Sequence, residues 1–200
     1  MRILYINLNN EDGEWGLMED VHHAIKNSLK PGADLDDMNR EMIKVVGAEL
    51  DNLERSTAVG GSRQLRLWAW TRNIISEATT KSVYGPDNPY NDPKVMEDFW
   101  TFEAGMLRLV LPMQSLLAKE PLAARNRITD AFVKYYEKGG HKLGSALTRG
   151  RFEAHMRNGL NLVDISRSET ANGIGIVSIS SILCVLCYVT SELTTLCLLS

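Results

Sequence analysis

The stretch from Leu67 to Tyr90 reads LWAWTRNIISEATTKSVYGPDNPY, and it holds a predicted helix followed by an abrupt break. Apolar or small residues recur every three or four positions through Ala78, which predicts one buried helix face and a start near Arg63. The helix is expected to end before Gly85-Pro86, because the residue that precedes a proline is pushed out of the helical region. Prolines and asparagines then predict a structured loop as far as Pro93.

Helical periodicity extends through nearly all of the chain before residue 172. No alternating run is long enough to predict a sheet, so the predicted fold class is mainly α. The predicted helices run from Leu17 to a break at Pro31-Gly32, from Leu35 to Leu53 with Asp34 as N-cap, from Asp92-Pro93 to Leu116 with a kink at Pro112, from Ala123 to Lys138 with Gly139-Gly140 as its stop, from Ser145 to Arg157, and onward from about Asp164.

Composition excludes several classes of protein. The 200 residues fit one domain or part of a larger one, with 44% hydrophobic and 24% charged residues. A formal net charge of -3 gives no broad basic field for nucleic acid. The cysteines are Cys184, Cys187 and Cys197, all near the end, which argues against a disulfide-stapled secreted domain and for an intracellular protein. No secretory signal peptide is recognisable at the N-terminus.

The segment 172–191 carries no charged side chain and is rich in Ile, Val, Leu and Cys. About 18 such residues are enough to consider a membrane span. One interpretation of the chain is therefore a non-enzymatic helical protein that is tethered to a membrane by this segment.

Cys184-x-x-Cys187 predicts no metal site, because Cys197 and His141 are wrongly spaced to complete four zinc ligands.

Trp68 and Arg72 stand four residues apart in the predicted helix, so they share a face. An indole N–H and a guanidinium on one face suit a carboxylate, which arginine can bind through two parallel hydrogen bonds. A core tryptophan beside a surface arginine would give the same spacing. The pair alone leaves both interpretations open.

The wider context resembles a known family. The stretch 67–90, the Asp92-Pro93 pair and the FWTFE element at Phe99–Glu103 together resemble fungal cytochromes P450 of the group near prostacyclin synthase and sterol 7-hydroxylases. The segment Phe132–Leu160 is similar to the family's approach to its long central helix, and Asp164–Arg167 to the start of that helix. The resemblance covers about Leu17–Ile176.

The resemblance implies a partial P450 domain over residues 1–176 and a non-homologous apolar tail over residues 177–200. It implies that Trp68 and Arg72 contact the haem propionates, with Trp70 as a competitor for the tryptophan role. The family activity is haem-dependent hydroxylation or oxidation of a lipophilic small molecule, here expected in fungal secondary metabolism. The implied partners are that substrate and a P450 reductase, and the implied location is the endoplasmic reticulum membrane.

Departures from the family pattern limit this expectation. Beyond residue 176 the sequence shows neither a Glu-x-x-Arg element nor a Phe-x-x-Gly-x-x-x-Cys-x-Gly loop, so the axial cysteine is absent. That thiolate ligand is what favours O–O cleavage at the iron. No N-terminal membrane anchor or proline-rich hinge is recognisable either. The chain is therefore predicted to be an incomplete, truncated P450 fold that does not bind haem stably and is inactive alone.

Overall fold

The computed structural model describes residues 16–57, 61–62, 64–110 and 118–179. Within these ranges the chain forms α-helices, two short 3-10 turns and one π-helical segment, without a strand, which confirms the mainly α fold class. The helices are α1 (Leu17–Leu29), α2 (Ala33–Ser56), α3 (Leu67–Tyr84), α4 (Pro93–Val110), α5 (Lys119–Glu137), α6 (Ala146–Arg157) and α7 (Leu162–Gly173). The 3-10 turns are Pro89–Asn91 and Gly140–Leu143, and the π-helical segment is Ile174–Ile179.

Local polar signals set several helix starts as the sequence predicts. The Asp92 carboxylate accepts a hydrogen bond of 2.9 Å from the Lys94 amide, immediately before Pro93 opens α4. The Ser145 hydroxyl accepts a hydrogen bond of 3.3 Å from the Thr148 amide at the start of α6. These side chains satisfy amides that have no partner inside their own helix.

Two glycines end helices in the left-handed region, which side chains other than glycine rarely adopt. Gly139 has φ 75° after α5, which confirms the predicted stop. Gly85 has φ 79° after α3, and a Cβ there would lie 2.5 Å from the carbonyl oxygen of Leu143. A side chain at this position would therefore meet both a conformational cost and rigid backbone.

Three predicted helix starts are corrected. Asp34 is not the N-cap of α2, because Gly32 takes the cap position and its carbonyl accepts from the Asp36 amide at 3.0 Å. The helix α3 begins at Leu67 instead of near residue 63. The helix α5 begins four residues before the predicted start, since Pro121 lies in the first turn, where a missing N–H removes no helical bond. The kink predicted at Pro112 lies outside the described residues.

The helices enclose an aromatic core. The helix α4 packs along α5, α1 along α6, α2 along α3, and α5 along α7. Phe132 is fully buried at its centre, with its ring centroid 5.1 Å from that of Tyr84 and 5.6 Å from that of Tyr90. Both pairs meet edge to face, the arrangement that aromatic quadrupoles favour. This core joins α5 to α3 and to the loop that follows α3.

No helix in the described part of the chain is both long and apolar enough to cross a membrane. Of the predicted span 172–191, only residues 172–179 are described, and they continue from α7 into the π-helical segment. Val177 is fully buried in the core. The membrane tether gains no support from the described helices, and the domain boundary between residues 176 and 177 stays a prediction.

Candidate functional site

An open cleft of about 1220 Å³ lies between α2, α3 and α4 and is the main candidate for a ligand site. Its walls mix charge and apolar surface, so they suit a ligand with both characters. Acidic residues come from α2, α3 and α4, cations come from α3 and α6, and large apolar side chains come from α4. Examples are Asp34, Glu41, Arg72, Met96 and Trp100.

Arg72 is the cleft's most informative cation. Its guanidinium carbon lies 4.3 Å from the centre of the Trp100 ring, and its buried Nε atom has no hydrogen-bond partner. Among the described carboxylates none forms an ion pair with Arg72, whereas other cations of the chain, such as Arg127 and Arg151, do have such partners. The guanidinium therefore keeps donor capacity for a ligand carboxylate.

The structure brings only part of the predicted propionate site to the cleft. Trp68 and Arg72 lie one turn apart on α3, as predicted, but Trp68 is 52% exposed and is not part of the cleft wall. Trp70 is half-buried and also lies outside the wall. Arg72 alone joins the cleft, and the propionate roles of Trp68, Trp70 and Arg72 stay predictions.

The structure contains a buried ion pair between α6 and α7 that the sequence analysis did not predict. Arg151 on α6 donates to Glu169 on α7 at 2.7 Å, and the two side chains are 3% and 0% exposed. The Tyr84 hydroxyl donates to the same carboxylate at 3.2 Å. The end of α3 and the middle parts of α6 and α7 thus meet at one carboxylate. A signal was present, since Ile165, Glu169 and Gly173 recur every four residues and place the carboxylate on an apolar helix face.

Burial and the ion pair shift the neighbouring titrations. Burial, reinforced by the negative charge of Glu169, raises the pKa of Tyr84 well above its ordinary value. The same two causes raise the pKa of Tyr136. Burial acts to lower the pKa of Arg151, but the charge of Glu169, together with Tyr84, Tyr136 and the hydrogen bond to Glu169, outweighs burial and raises that pKa overall. The tyrosines stay neutral and the guanidinium stays charged at ordinary pH.

Tyr90 connects the cleft to α7. Its ring lines the cleft, and its buried hydroxyl has no hydrogen-bond partner. A Cβ added to Gly173 would lie 2.5 Å from that hydroxyl, so only glycine admits the tyrosine at this distance. The π-helical segment begins at the next residue, Ile174, and such segments occur often at functional sites. Movement of a cleft wall at Tyr90 would therefore bear directly on this segment.

His141 lies away from the cleft in an aromatic stack. Its ring centroid is 3.9 Å from that of Phe152 and 5.5 Å from that of Tyr136. Burial, with the positive charge of Lys142 adding to it, lowers the pKa of His141, while Glu153 opposes the shift. The lowered pKa favours the neutral ring at ordinary pH.

Across the residues that the structure describes, no group of three or more His, Cys, Asp or Glu side chains could hold a metal ion. Cys184, Cys187 and Cys197 lie outside those residues. The described cleft offers the Arg72 guanidinium, and its role toward a carboxylate stays a prediction.

Comparison with known proteins identifies the family. Over 163 residues, or 81% of its length, the chain is 34% identical to cytochrome P450 monooxygenase nodJ of Hypoxylon pulicicidum. Over this region the chain is a homologue of fungal cytochrome P450 monooxygenases. A second relative, a cytochrome P450 monooxygenase of Gibberella zeae, is 38% identical over 69 residues, which are 34% of the chain and 13% of the relative. No family model and no solved structure matches the chain.

The similarity to two cytochrome P450 monooxygenases confirms the resemblance read from the sequence. The matched region is 31% of the Hypoxylon protein, so the chain spans about a third of the length of this curated relative. The cofactor of the P450 family is haem, whose propionates are carboxylates. Arg72 lines the cleft and has no described carboxylate partner, so its guanidinium fits such a group.

Proposed function

We propose that this P450 chain supplies the propionate-binding helix of a haem-dependent monooxygenase that oxidises a lipophilic small molecule. The proposal depends on the position of Arg72. This cation lies in the wall of the cleft and has no described carboxylate partner. The activity named for both curated relatives supports the reaction class. When bound, haem would supply oxygen activation, and this chain's residues would hold the cofactor's carboxylates and shape the adjoining cleft.

The role of the neighbouring tryptophans follows from their position on α3. Trp68 lies one turn before Arg72 and is half exposed, so its indole N–H is accessible to a carboxylate. Trp70 is the alternative, at two residues before the arginine. The apolar side chains of Met96 and Trp100 in the cleft wall support a lipophilic substrate. A P450 reductase as electron donor, and the endoplasmic reticulum as location, follow from family membership only.

We also propose that residues 1–200 do not catalyse the reaction alone. None of Cys184, Cys187 and Cys197 lies in the Phe-x-x-Gly-x-x-x-Cys-x-Gly pattern of the family's ligand loop. Without a thiolate on the iron, the push of electron density that favours O–O cleavage is lost. The expressed chain, supplied with haem and reduced under carbon monoxide, should therefore give no thiolate-type Soret band. Such a band would refute the inactivity.

Haemin titration of the full chain tests the propionate site. Binding is followed by quenching of tryptophan fluorescence and by the Soret absorbance. Replacing Arg72 with alanine should weaken binding by about 10- to 150-fold, the equivalent of one hydrogen bond to a charged group. The matched control is Arg167→Ala, because Arg167 is exposed and lies outside the cleft wall. Equal affinity of the Arg72→Ala variant and the control would contradict the proposal.

A further inference from the structure

The side chain of Arg72 is held by a residue of another helix. Trp100 on α4 places its ring 4.3 Å from the guanidinium carbon, although 28 positions separate the two residues. The indole is itself fixed, since its ring meets the fully buried Phe99 at 4.9 Å and an interplanar angle of 74°. The stack therefore joins α3 to α4 through a ring that has little freedom to move.

Stacking on a ring uses the face of a guanidinium and leaves its edges available. The five N–H donors of arginine point outward in the plane of the group, so an aromatic ring below that plane does not compete for them. Consistent with this, the buried Nε of Arg72 has no hydrogen-bond partner. No described carboxylate pairs with Arg72 in the ion pairs of the chain. The contact with Trp100 fixes the plane of the cation without consuming its hydrogen-bonding capacity.

We propose that Trp100 is a positioning residue, which holds the Arg72 guanidinium in the orientation that binds a carboxylate at the cleft. This inference rests on the proposed function, which identifies that carboxylate with a haem propionate. The FWTFE element then has a chemical role beyond packing: Phe99 fills the core, and Trp100 aligns the cation. Removing the indole face would free the arginine side chain and raise the entropy lost when it binds.

Two observations make orientation a better account than packing alone. Trp100 is only half-buried and lines the cleft, whereas the adjacent Phe99 is fully buried. The ring also contacts a cation that has no described carboxylate partner, so the stack leaves that cation's charge unneutralised. The test must therefore separate recognition of a carboxylate from general cleft integrity.

The experiment uses the full chain with Trp100→Met, which removes the ring but keeps apolar bulk, and with Trp100→Phe, which keeps a smaller ring. Met156→Leu is the matched control, a volume-conserving change at an exposed residue outside the cleft wall. Two probes are titrated, haemin and haemin dimethyl ester, which has the same macrocycle without carboxylates. In parallel, the Nε–Hε resonance of Arg72 is followed by NMR, because a ring face below the group shifts it upfield.

Trp100→Met should lower haemin affinity by about 2- to 30-fold, the range expected for loss of one cation–π contact, and should leave the ester unaffected. The Arg72 resonance should move downfield in this variant. Trp100→Phe should change both readouts in the same direction but less. If circular dichroism shows that Trp100→Met has lost helicity, Trp100→Phe against Met156→Leu carries the comparison.

The outcomes separate the inference from the proposed function. A preference for haemin over its ester that is undiminished in Trp100→Met, or equal losses for both probes, overturns the positioning role alone. An Arg72 resonance at the position of free arginine in the wild type overturns it as well, since the stack is then absent. A shifted resonance without any preference for haemin over the ester overturns the propionate assignment, and the positioning role with it.

Discussion

Replacing Arg151 with methionine should destabilise the protein strongly, because it strands a buried carboxylate. Arg151 is 3% exposed and Glu169 is 0% exposed, so water cannot replace the lost guanidinium. The Oε1 atom of Glu169 already has no partner, and only the Tyr84 hydroxyl, 3.2 Å from Oε2, would remain. Removing one partner of a buried ion pair costs about 3–5 kcal/mol. At about 2–4 °C per kcal/mol for a chain of this size, Tm should fall by roughly 6–20 °C.

Urea unfolding followed by circular dichroism measures this loss. Its control is Arg157→Met, since Arg157 pairs with Asp20 at 3.3 Å while 59% of its side chain is exposed. That exposed pair should contribute no more than about 1 kcal/mol. The double variant Arg151→Met/Glu169→Leu should recover at least half of the single variant's loss, because no charge is left buried.

Two results for these variants would contradict the account of the uncompensated buried charge. If Arg151→Met and Arg157→Met lose the same free energy of unfolding, the pair in the core is worth no more than one on the surface. If the double variant is as unstable as the Arg151 single variant, the loss comes from packing and not from an uncompensated charge. Either result would refute the reasoning.

Three further predictions concern single sites. Gly173→Ala should cost about 1–3 kcal/mol through overpacking against the Tyr90 hydroxyl, and adding Tyr90→Phe should recover most of it; a Gly173→Ala variant as stable as wild type would contradict the 2.5 Å approach. The pKa of His141 is lowered in the folded chain, so its contribution to stability is complete above about pH 6.5 and is lost as the pH falls toward the folded pKa. The His141→Phe variant should therefore show a flatter dependence of the unfolding free energy on pH between pH 5 and 8. A pH dependence equal to that of the wild type would contradict this prediction. Ser145→Ala should cost about 1 kcal/mol at the start of α6, measured by the urea midpoint, and a loss below about 0.3 kcal/mol would show that the 3.3 Å cap is ineffective.

Local chemistry explains which parts of the fold could be predicted from the sequence. Asp92-Pro93 and Gly139 act on residues beside them, so the start of α4 and the end of α5 follow from short segments. The N-cap of α2 could not be predicted in this way. Asp34 has the right side chain, but Gly32 has the backbone conformation, with φ 152°, that lets the helix start two residues earlier.

In the candidate site, too, features set within one helix could be predicted from the sequence, whereas contacts between helices could not. Arg72 follows from a spacing of four residues within one helix, and the structure places it at a cleft. Its stack on Trp100 could not be predicted, because it joins helices separated by a loop. The pairing of Arg151 with Glu169 likewise depends on how α6 and α7 turn toward each other. Helical periodicity describes one helix at a time and carries no information about the partner across an interface.

The end of α3 has a consequence for the order in which the chain acquires structure. The Tyr84 carbonyl accepts a hydrogen bond of 2.8 Å from the Tyr135 hydroxyl, and the Val83 carbonyl accepts 2.7 Å from the Thr148 hydroxyl. These donors stand 51 and 65 positions later in the chain. During synthesis, therefore, the last turn of α3 leaves the ribosome well before the groups that satisfy it exist. Until α5 and α6 have been made, water must satisfy these carbonyls, and this end of the helix can settle only when the later helices dock.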